Sequence, residues 1–294
     1  MSIEKIISKY IKTGDDTNLA LTYSNKKERK SNHKIVKSLI NDYIPQIKNC
    51  HNKNDEKNLK NNGYTILENF LNDEEIEKFL KDIKSEPGFN YHIARNSYNR
   101  ETRTIDEMGD WNILSYEPKI FLKNDLFLKK MTDPKVLSLA QSYFGCFPTL
   151  YGINSFVSKY TGEKFKIQEI HRDFDDYKFL TFFIYLTDVD ANNGPHIYYK
   201  NTHNGSENLE SPIELCGKKG TALVLDGYGY HLGKPLVEGN RIIVWFRLGL
   251  SLNKTYLKTE NHLFKFDNDF VFENIEENLH NKYLLRGFLK SDDI

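Results

Sequence analysis

The stretch IQEIHRDFDDYKFLTFFIYL, residues 167–186, sets His171, Asp173, Asp175 and Asp176 directly before an almost wholly apolar run. Either the polar head is half of a metal site, or it is only a turn leading into a buried strand. On a strand, residues i and i+2 project from one face, so the His171 imidazole and the Asp173 carboxylate can share one ion. Nine histidines and 20 aspartates in 294 residues give roughly 0.6 His-x-Asp pairs by chance, so the pair needs support from elsewhere in the chain. The run behind it is plainer. Thr181, Phe183 and Tyr185 alternate with Leu180, Phe182, Ile184 and Leu186, which predicts a strand with one set facing the lumen of a closed β structure and the other an outer layer.

Working outward, LYGINSFVSKY, PHIYYK, GTALVLDG and RIIVWFRLGL are further short β-branched or aromatic runs, divided by turn text such as DANNGP and EGN. Evenly spaced strands with no helices between them predict an antiparallel sandwich or jelly roll, a mainly β fold with flanking helices. Upstream, YTILENF reads as a strand and LNDEEIEKFLKDI as an amphipathic helix, with Asn72 as N-cap and Glu75 completing a capping box. DPKVLSLAQSYFG predicts a second helix, with Pro134 at its start and Gly145 beyond its end. Residues 88–130 are mixed and aromatic-rich, with no clear order of elements. Residues 1–60 read as a polar, partly helical N-terminal extension, with helix-like spacing at Ile35, Leu39, Ile40, Tyr43 and Ile44. The text NCHNKNDEKNLKNNG reads as a linker or exposed loop. Residues 61–294 read as one domain whose final run, DNDFVFENIEENLHNKYLLRGFL, ends in a helix packed on the outside.

Composition narrows the function classes. The formal net charge is zero, so nothing global points to nucleic acid. Residues 1–60 carry 13 Lys/Arg against 7 Asp/Glu, a basic head read here as a solvated face rather than a docking surface. Three cysteines, Cys50, Cys146 and Cys216, are widely spaced and odd in number, which suits unpaired thiols in a reducing cytoplasm. The first residues lack a signal-peptide apolar core, and no window reaches the ~18 apolar residues of a membrane span. The expectation is a cytoplasmic protein acting on a small molecule, with nothing in the sequence selecting an oligomeric state.

The missing half of the site comes 60 residues later. LVLDGYGYHLGKPLVEGNRIIVWFRLGL offers His231 just beyond one strand and Arg241, ten residues on, at the opening of the next. A mononuclear non-haem iron site needs two histidines and one carboxylate on one octahedral face, and an arginine fork recognises a carboxylate bidentately. His196 and His203 have no arginine ten residues on. Asp175 and Asp176 compete with Asp173 as ligand. Arg247 competes with Arg241 as anchor, but lies six residues farther, ~20 Å along an extended strand, and so is expected to be too far from His231.

At this point the chain resembles the phytanoyl-CoA dioxygenase family of Fe(II)/2-oxoglutarate-dependent oxygenases, over roughly residues 61–250. NGYTILENFLNDEEIEKFL is similar to the family's opening strand and helix. HRDF…FFIYLTDVDANNGPHIYYKNTH resembles its metal half-site and following turn, and His231 with Arg241 its distal histidine and 2-oxoglutarate arginine. The resemblance implies a double-stranded β-helix (jelly roll, cupin-like) core, with His171, Asp173 and His231 on Fe(II). It also implies 2-oxoglutarate held by Arg241, with O2 consumed, a small-molecule substrate hydroxylated, and succinate and CO2 released. Asp173 matters to that outcome, since related halogenases replace this carboxylate with a small residue. The family's aromatic residue beside 2-oxoglutarate falls at Phe183, and Thr181 and Asn154 are further cofactor-wall candidates, with Phe156 and Tyr151 behind them. His196 and Trp111 are candidates to meet substrate. Asn201-Thr202-His203 stands where relatives often read Gly-Ser-His, and no CoA-binding surface is visible, so acyl-CoA is not carried over. The competing reading is a jelly-roll binding module without chemistry.

Overall fold

A computed structural model of the chain describes residues 5, 6, 23, 27–91, 101–162, 168–250 and 278–285. Its centre is the run around Phe182. Strand β6 (Phe179–Tyr185) lies inside a sheet that also contains β1 (Tyr64–Leu67), β2 (Gly88–Phe89), β3 (Thr102–Arg103), β4 (Ile113–Ser115), β5 (Thr149–Lys159), β9 (Ala222–Leu225) and β11 (Asn240–Gly249). The order is β1-β9-β6-β11-β5-β4-β2-β3, every neighbour antiparallel. A smaller sheet, β10-β7-β8, is formed by β7 (His196–Tyr199), β8 (Pro212–Leu215) and β10 (His231–Gly233).

The near-continuous apolar text of the central strands follows from this layering. Leu180, Phe182 and Ile184 of β6 and Ile242, Val244, Phe246 and Leu248 of β11 point into a core shared with the helices. The alternate residues, Phe183 and Tyr185 with Ile243 and Trp245, meet Tyr198 and Leu215 of the small sheet in a second cluster. Both faces are covered, so apolar residues dominate both sides of these strands. Phe182 and Phe246 stack with ring centroids 4.7 Å apart, and burying each ring contributes about 2 kcal/mol. The expected double-stranded β-helix, a jelly roll with flanking helices, is the architecture observed.

Helices cover the outer face of the large sheet: α1 (Arg29–Tyr43), α2 (Lys53–Asn62), α3 (Asp73–Ser85), α4 (Pro118–Leu122), α5 (Asp125–Met131) and α6 (Pro134–Phe144). The α3 capping box forms as its sequence predicts, with the Glu75 N–H donating to Asn72 Oδ1 at 2.9 Å and the Asn72 N–H to Glu75 Oε2 at 3.0 Å. Asp133, Pro134 and left-handed Gly145 bound α6. α7 (Leu279–Leu285) buries Leu284 and Leu285, and the rest of the C-terminal run lies outside the described residues.

The stretch read as an exposed loop before Gly63 is mostly helix α2. Asn52 caps its start, Asp55 and Glu56 occupy the first turn, and Gly63 closes it at φ 84°. Leu59, its one apolar residue, is fully buried. α1 places Val36 and Ile40 in the same helical core, and Gln141 of α6 bonds both the N–H and the carbonyl of Ile47, at 2.8 Å each. Residues 88–130, unordered from sequence, supply β2, β4, α4 and α5. Among the described residues no helix is long and apolar enough to cross a membrane.

Candidate active site

The polar head of the opening stretch is stitched to the turn after β9. His171 and His231 form an isolated antiparallel bridge, each N–H donating to the other's carbonyl at 3.0 Å. Two residues on, the Asp173 N–H donates to the Gly227 carbonyl at 2.9 Å. This pairing sets the two imidazoles side by side, centroids 4.4 Å apart, with the Asp173 carboxylate beside them. His171 Nε2 is 3.7 Å from Asp173 Oδ1, and His231 Nε2 is 3.8 Å from Oδ2. Those gaps exceed a hydrogen bond and leave room for an ion between the donors. The three ligand atoms lie within 4.8 Å of one another.

The far side of each ring fixes its tautomer. His171 Nδ1 faces the Glu169 carbonyl at 2.8 Å and His231 Nδ1 faces that of Gly229 at 2.9 Å. A carbonyl can only accept, so each Nδ1 carries the proton and each Nε2 turns its lone pair inward. Burial, aided by nearby His171 and opposed by Asp173, pushes the His231 pKa down and favours the neutral ring a metal requires. Burial works against ionising Asp173, but the Arg247 guanidinium, then His231 and His171, outweigh it and hold the carboxyl below its ordinary value.

Arg247 is where the structure departs from the sequence. Its Nη2 donates to Asp173 Oδ2 at 2.6 Å, its Nη1 to Asp175, and its Nε to Thr181 Oγ1 at 3.0 Å. The expectation that it lies too far from His231 is overturned. Distance was counted along the chain from His231, whereas β11 folds back beside β6 so that Arg247 pairs with Thr181 at the triad end. Asp175 is thereby tied up as an arginine partner, and Asp176 is buried with Oδ1 accepting from the Tyr177 N–H at 2.6 Å.

Arg241 sits at the other end of the same face of β11, buried, with Nη1 donating to the Gly194 carbonyl and Nε lacking any partner. Burial draws its pKa below the ordinary arginine value, a sign of a cation short of counter-charge. Between the two arginines, Phe183 packs on His196 with centroids 4.2 Å apart and lies 6.4 Å from Trp245. His196 Nδ1 and Trp245 Nε1 are also buried without partners. Burial, with the positive charge of Arg241 and of His231 and His171 adding to it, pushes His196 far below its ordinary pKa. Three orphaned buried polar atoms, one on the Arg241 guanidinium itself and two on the His196 and Trp245 rings beside Phe183, are what a polar, anionic ligand would satisfy. The donor set and this lining therefore fit Fe(II) with a dicarboxylate.

The remaining expected residues divide by strand parity. Asn154, paired with Trp245, and Phe156, paired with Ile243, share the lumen face, and Asn154 Oδ1 accepts from the Ser115 hydroxyl at 2.8 Å. Tyr151 and Trp111 belong to the helix-side core instead, Trp111 lying under the Arg103 guanidinium. His203 lies in a 3-10 turn, Thr202–Asn204, away from the triad. Sequence reading missed Arg172, the middle residue of His-x-Asp. It is buried, stacks on Tyr230, and donates to the carbonyls of Thr202 at 2.7 Å and Tyr228 at 2.5 Å, pinning the turn that carries His231.

Comparison with known proteins identifies the family and the fold. The family description Phytanoyl-CoA dioxygenase (PhyH) matches residues 59–237, a span that includes the triad and stops just short of Arg241. No curated protein matches the sequence. Among solved structures, the non-heme alpha ketoglutarate dependent epimerase SnoN from nogalamycin biosynthesis is similar with a TM-score of 0.52 at 14% identity, covering 67% of this chain and 81% of that one. The carbocyclase SnoK of the same biosynthesis also gives 0.52, at 13% identity, covering 67% and 83%. At such identity the likeness is one of fold.

Proposed function

This chain belongs to the phytanoyl-CoA dioxygenase family of 2-oxoglutarate-dependent non-haem iron oxygenases, and from that premise we propose that it hydroxylates a small molecule, consuming 2-oxoglutarate and O2 and releasing succinate and CO2. The observation that carries the proposal is the triad: His171, Asp173 and His231 with both Nε2 lone pairs turned inward by carbonyl clamps. These three residues would hold Fe(II), which supplies O2 activation when bound with 2-oxoglutarate. Arg241 takes the distal carboxylate of 2-oxoglutarate, replacing its unbonded Nε contact with a charge-assisted one. Phe183, His196 and Trp245 wall the path between the two and exclude water from it. Thr181 keeps Arg247 in place against Asp173. With iron bound, the Asp173 carboxylate would be the ligand that a halogenase lacks, which favours hydroxylation. Three widely spaced cysteines suit the reducing cytoplasm in which we place the protein.

The test is anaerobic addition of Fe(II) and 2-oxoglutarate, watched for the weak visible metal-to-ligand charge-transfer band. A band that needs both additions supports the enzyme reading. Its absence from protein shown to be folded leaves only a jelly-roll binding module.

A further inference from the structure

A second cavity lies outside the lumen, on the helix-covered face of the large sheet. It measures about 560 Å3 and its wall includes Lys27, Arg29, Lys30, Lys60 and Lys178. Among the described residues one carboxylate, Asp226, lines it, and it is already engaged: Oδ2 accepts from the Tyr143 hydroxyl at 2.6 Å and Oδ1 from the Tyr228 N–H at 3.0 Å. Lys60 pairs with Glu56. Among the described residues the other four form no direct ion pair with a carboxylate. Lys178 Nζ donates to the Tyr143 carbonyl at 2.8 Å, and Arg29 Nη1 to that of Tyr23 at 2.9 Å. Among the described residues Lys27 and Lys30 have no hydrogen-bonding or ionic partner. Burial draws both Arg29 and Lys178 below their ordinary pKa values, outweighing the opposing charge of Asp226.

A further feature points the same way. Helix α1, 15 residues long, opens here with no side-chain cap on Glu28 and no acid in its first turn, which instead begins Arg29-Lys30. Basic side chains at the positive end of a helix are unfavourable unless an anion sits among them, where free N–H groups also face it. His203 lines the same cavity as a neutral ring, its Nε2 donating to the Lys60 carbonyl at 3.2 Å. Tyr177 and Tyr228 supply aromatic wall, and the volume far exceeds that of one phosphate group.

We propose that this cavity binds a small organic phosphate, its anionic oxygens on Lys27, Lys30 and Lys178 at the start of α1 and its remaining body against Tyr177 and Tyr228. The site is separate from the iron centre. Asp226 follows the parity of Val224 toward the helices, whereas Asp173 faces the lumen. The floor of the cavity nonetheless includes Asp226 and Tyr228, either side of the Gly227 carbonyl that holds the Asp173 N–H, so an occupant braces the turn beneath the triad.

The experiment is calorimetric titration of the metal-free full chain with pyrophosphate at fixed ionic strength. Saturable binding is expected, weakened about tenfold or more by Lys30→Glu, which exchanges an attraction for a repulsion. Lys27→Glu should act alike if Lys30→Glu does not fold. Lys84→Glu, the same charge change at a residue that does not line the cavity, should leave affinity unchanged, as should Arg241→Met. Non-saturable binding, or equal weakening by Lys84→Glu, overturns the proposal, and loss of binding in Arg241→Met reassigns the anion to the lumen. None of these readouts depends on the oxygenase reading.

Discussion

Arg247 reaches Asp173 with Nη2 on Oδ2 at 2.6 Å, while the other oxygen of that carboxylate, Oδ1, faces His171 Nε2 at 3.7 Å. The arginine thus engages one oxygen and leaves the other turned toward a triad imidazole. A residue that orients a ligand in this way is expected to matter for metal affinity even though it donates nothing to the metal. Arg247→Met should weaken Fe(II) or Mn(II) binding about tenfold, measured by titration of the apoprotein. Tighter binding in the variant would show instead that Arg247 competes with the metal for Asp173.

Asp173 and Asp175 share Arg247, and that contrast separates ligand from neighbour. Asp173→Ala should abolish metal binding and turnover, because two imidazoles alone hold a divalent ion poorly. Asp175→Asn, which removes only one arm of the Arg247 bridge, should retain the metal with a several-fold weaker affinity. Equal losses in the two variants would mean that the ligand is misassigned.

Arg241→Met should raise the 2-oxoglutarate concentration needed for the visible band by about a hundredfold, the worth of a buried charge-assisted pair near 3 kcal/mol. Metal affinity measured without 2-oxoglutarate should stay within about twofold, because Arg241 makes no contact with the triad. An unchanged 2-oxoglutarate requirement would move the anchor to Arg247.

How far the sequence leads depends on what each residue signals locally. The Thr181–Leu186 alternation and the α3 capping box are short-range features and appear in the structure as read, whereas His171 and Asp173 meet from an isolated bridge and the coil after it rather than from a strand. Helix α2 escaped because one apolar residue, Leu59, has no period, although its cap Asn52 and terminator Gly63 were both present in the text. Arg247 was misjudged because a strand reversal converts distance along the chain into proximity in space. Asp175 shares the parity of Asp173, so only the arginine between them separates their environments. The corridor of His196, Trp245 and Arg241 needs the register of two sheets and is not written in any single segment.

His33 gives a test of how α1 docks. Its Nε2 lies 2.9 Å from the Phe144 carbonyl, and burial, with Lys178, Lys37 and Arg29 adding positive charge, pushes its pKa down to about 4. The unfolded chain takes up this proton nearer the ordinary histidine value of about 6.5. Between those limits the unfolded state binds more protons than the folded one, so stability is full above pH ~6.5 and falls as pH drops toward about 4. Partial exposure discounts the effect to about 1–2 kcal/mol. Urea midpoints measured at pH 7.5 and 5 should therefore differ more for the native sequence than for His33→Gln.

Gly227→Ala tests the turn that carries the triad. A Cβ there would meet the Phe179 ring at 2.5 Å and Asp173 Oδ2 at 3.3 Å. Phe179 is fully buried, so its ring cannot swing aside as a surface side chain would. The added methyl must instead displace the main chain whose carbonyl holds the Asp173 N–H. Overpacking of this kind costs about 1–3 kcal/mol, and the displacement should carry the carboxylate off its line to the two imidazoles. The expected result is a lowered thermal midpoint together with loss of at least tenfold in metal affinity, about the effect of disturbing an orienting contact. A variant that loses stability but binds metal normally would show that the triad does not depend on this close approach.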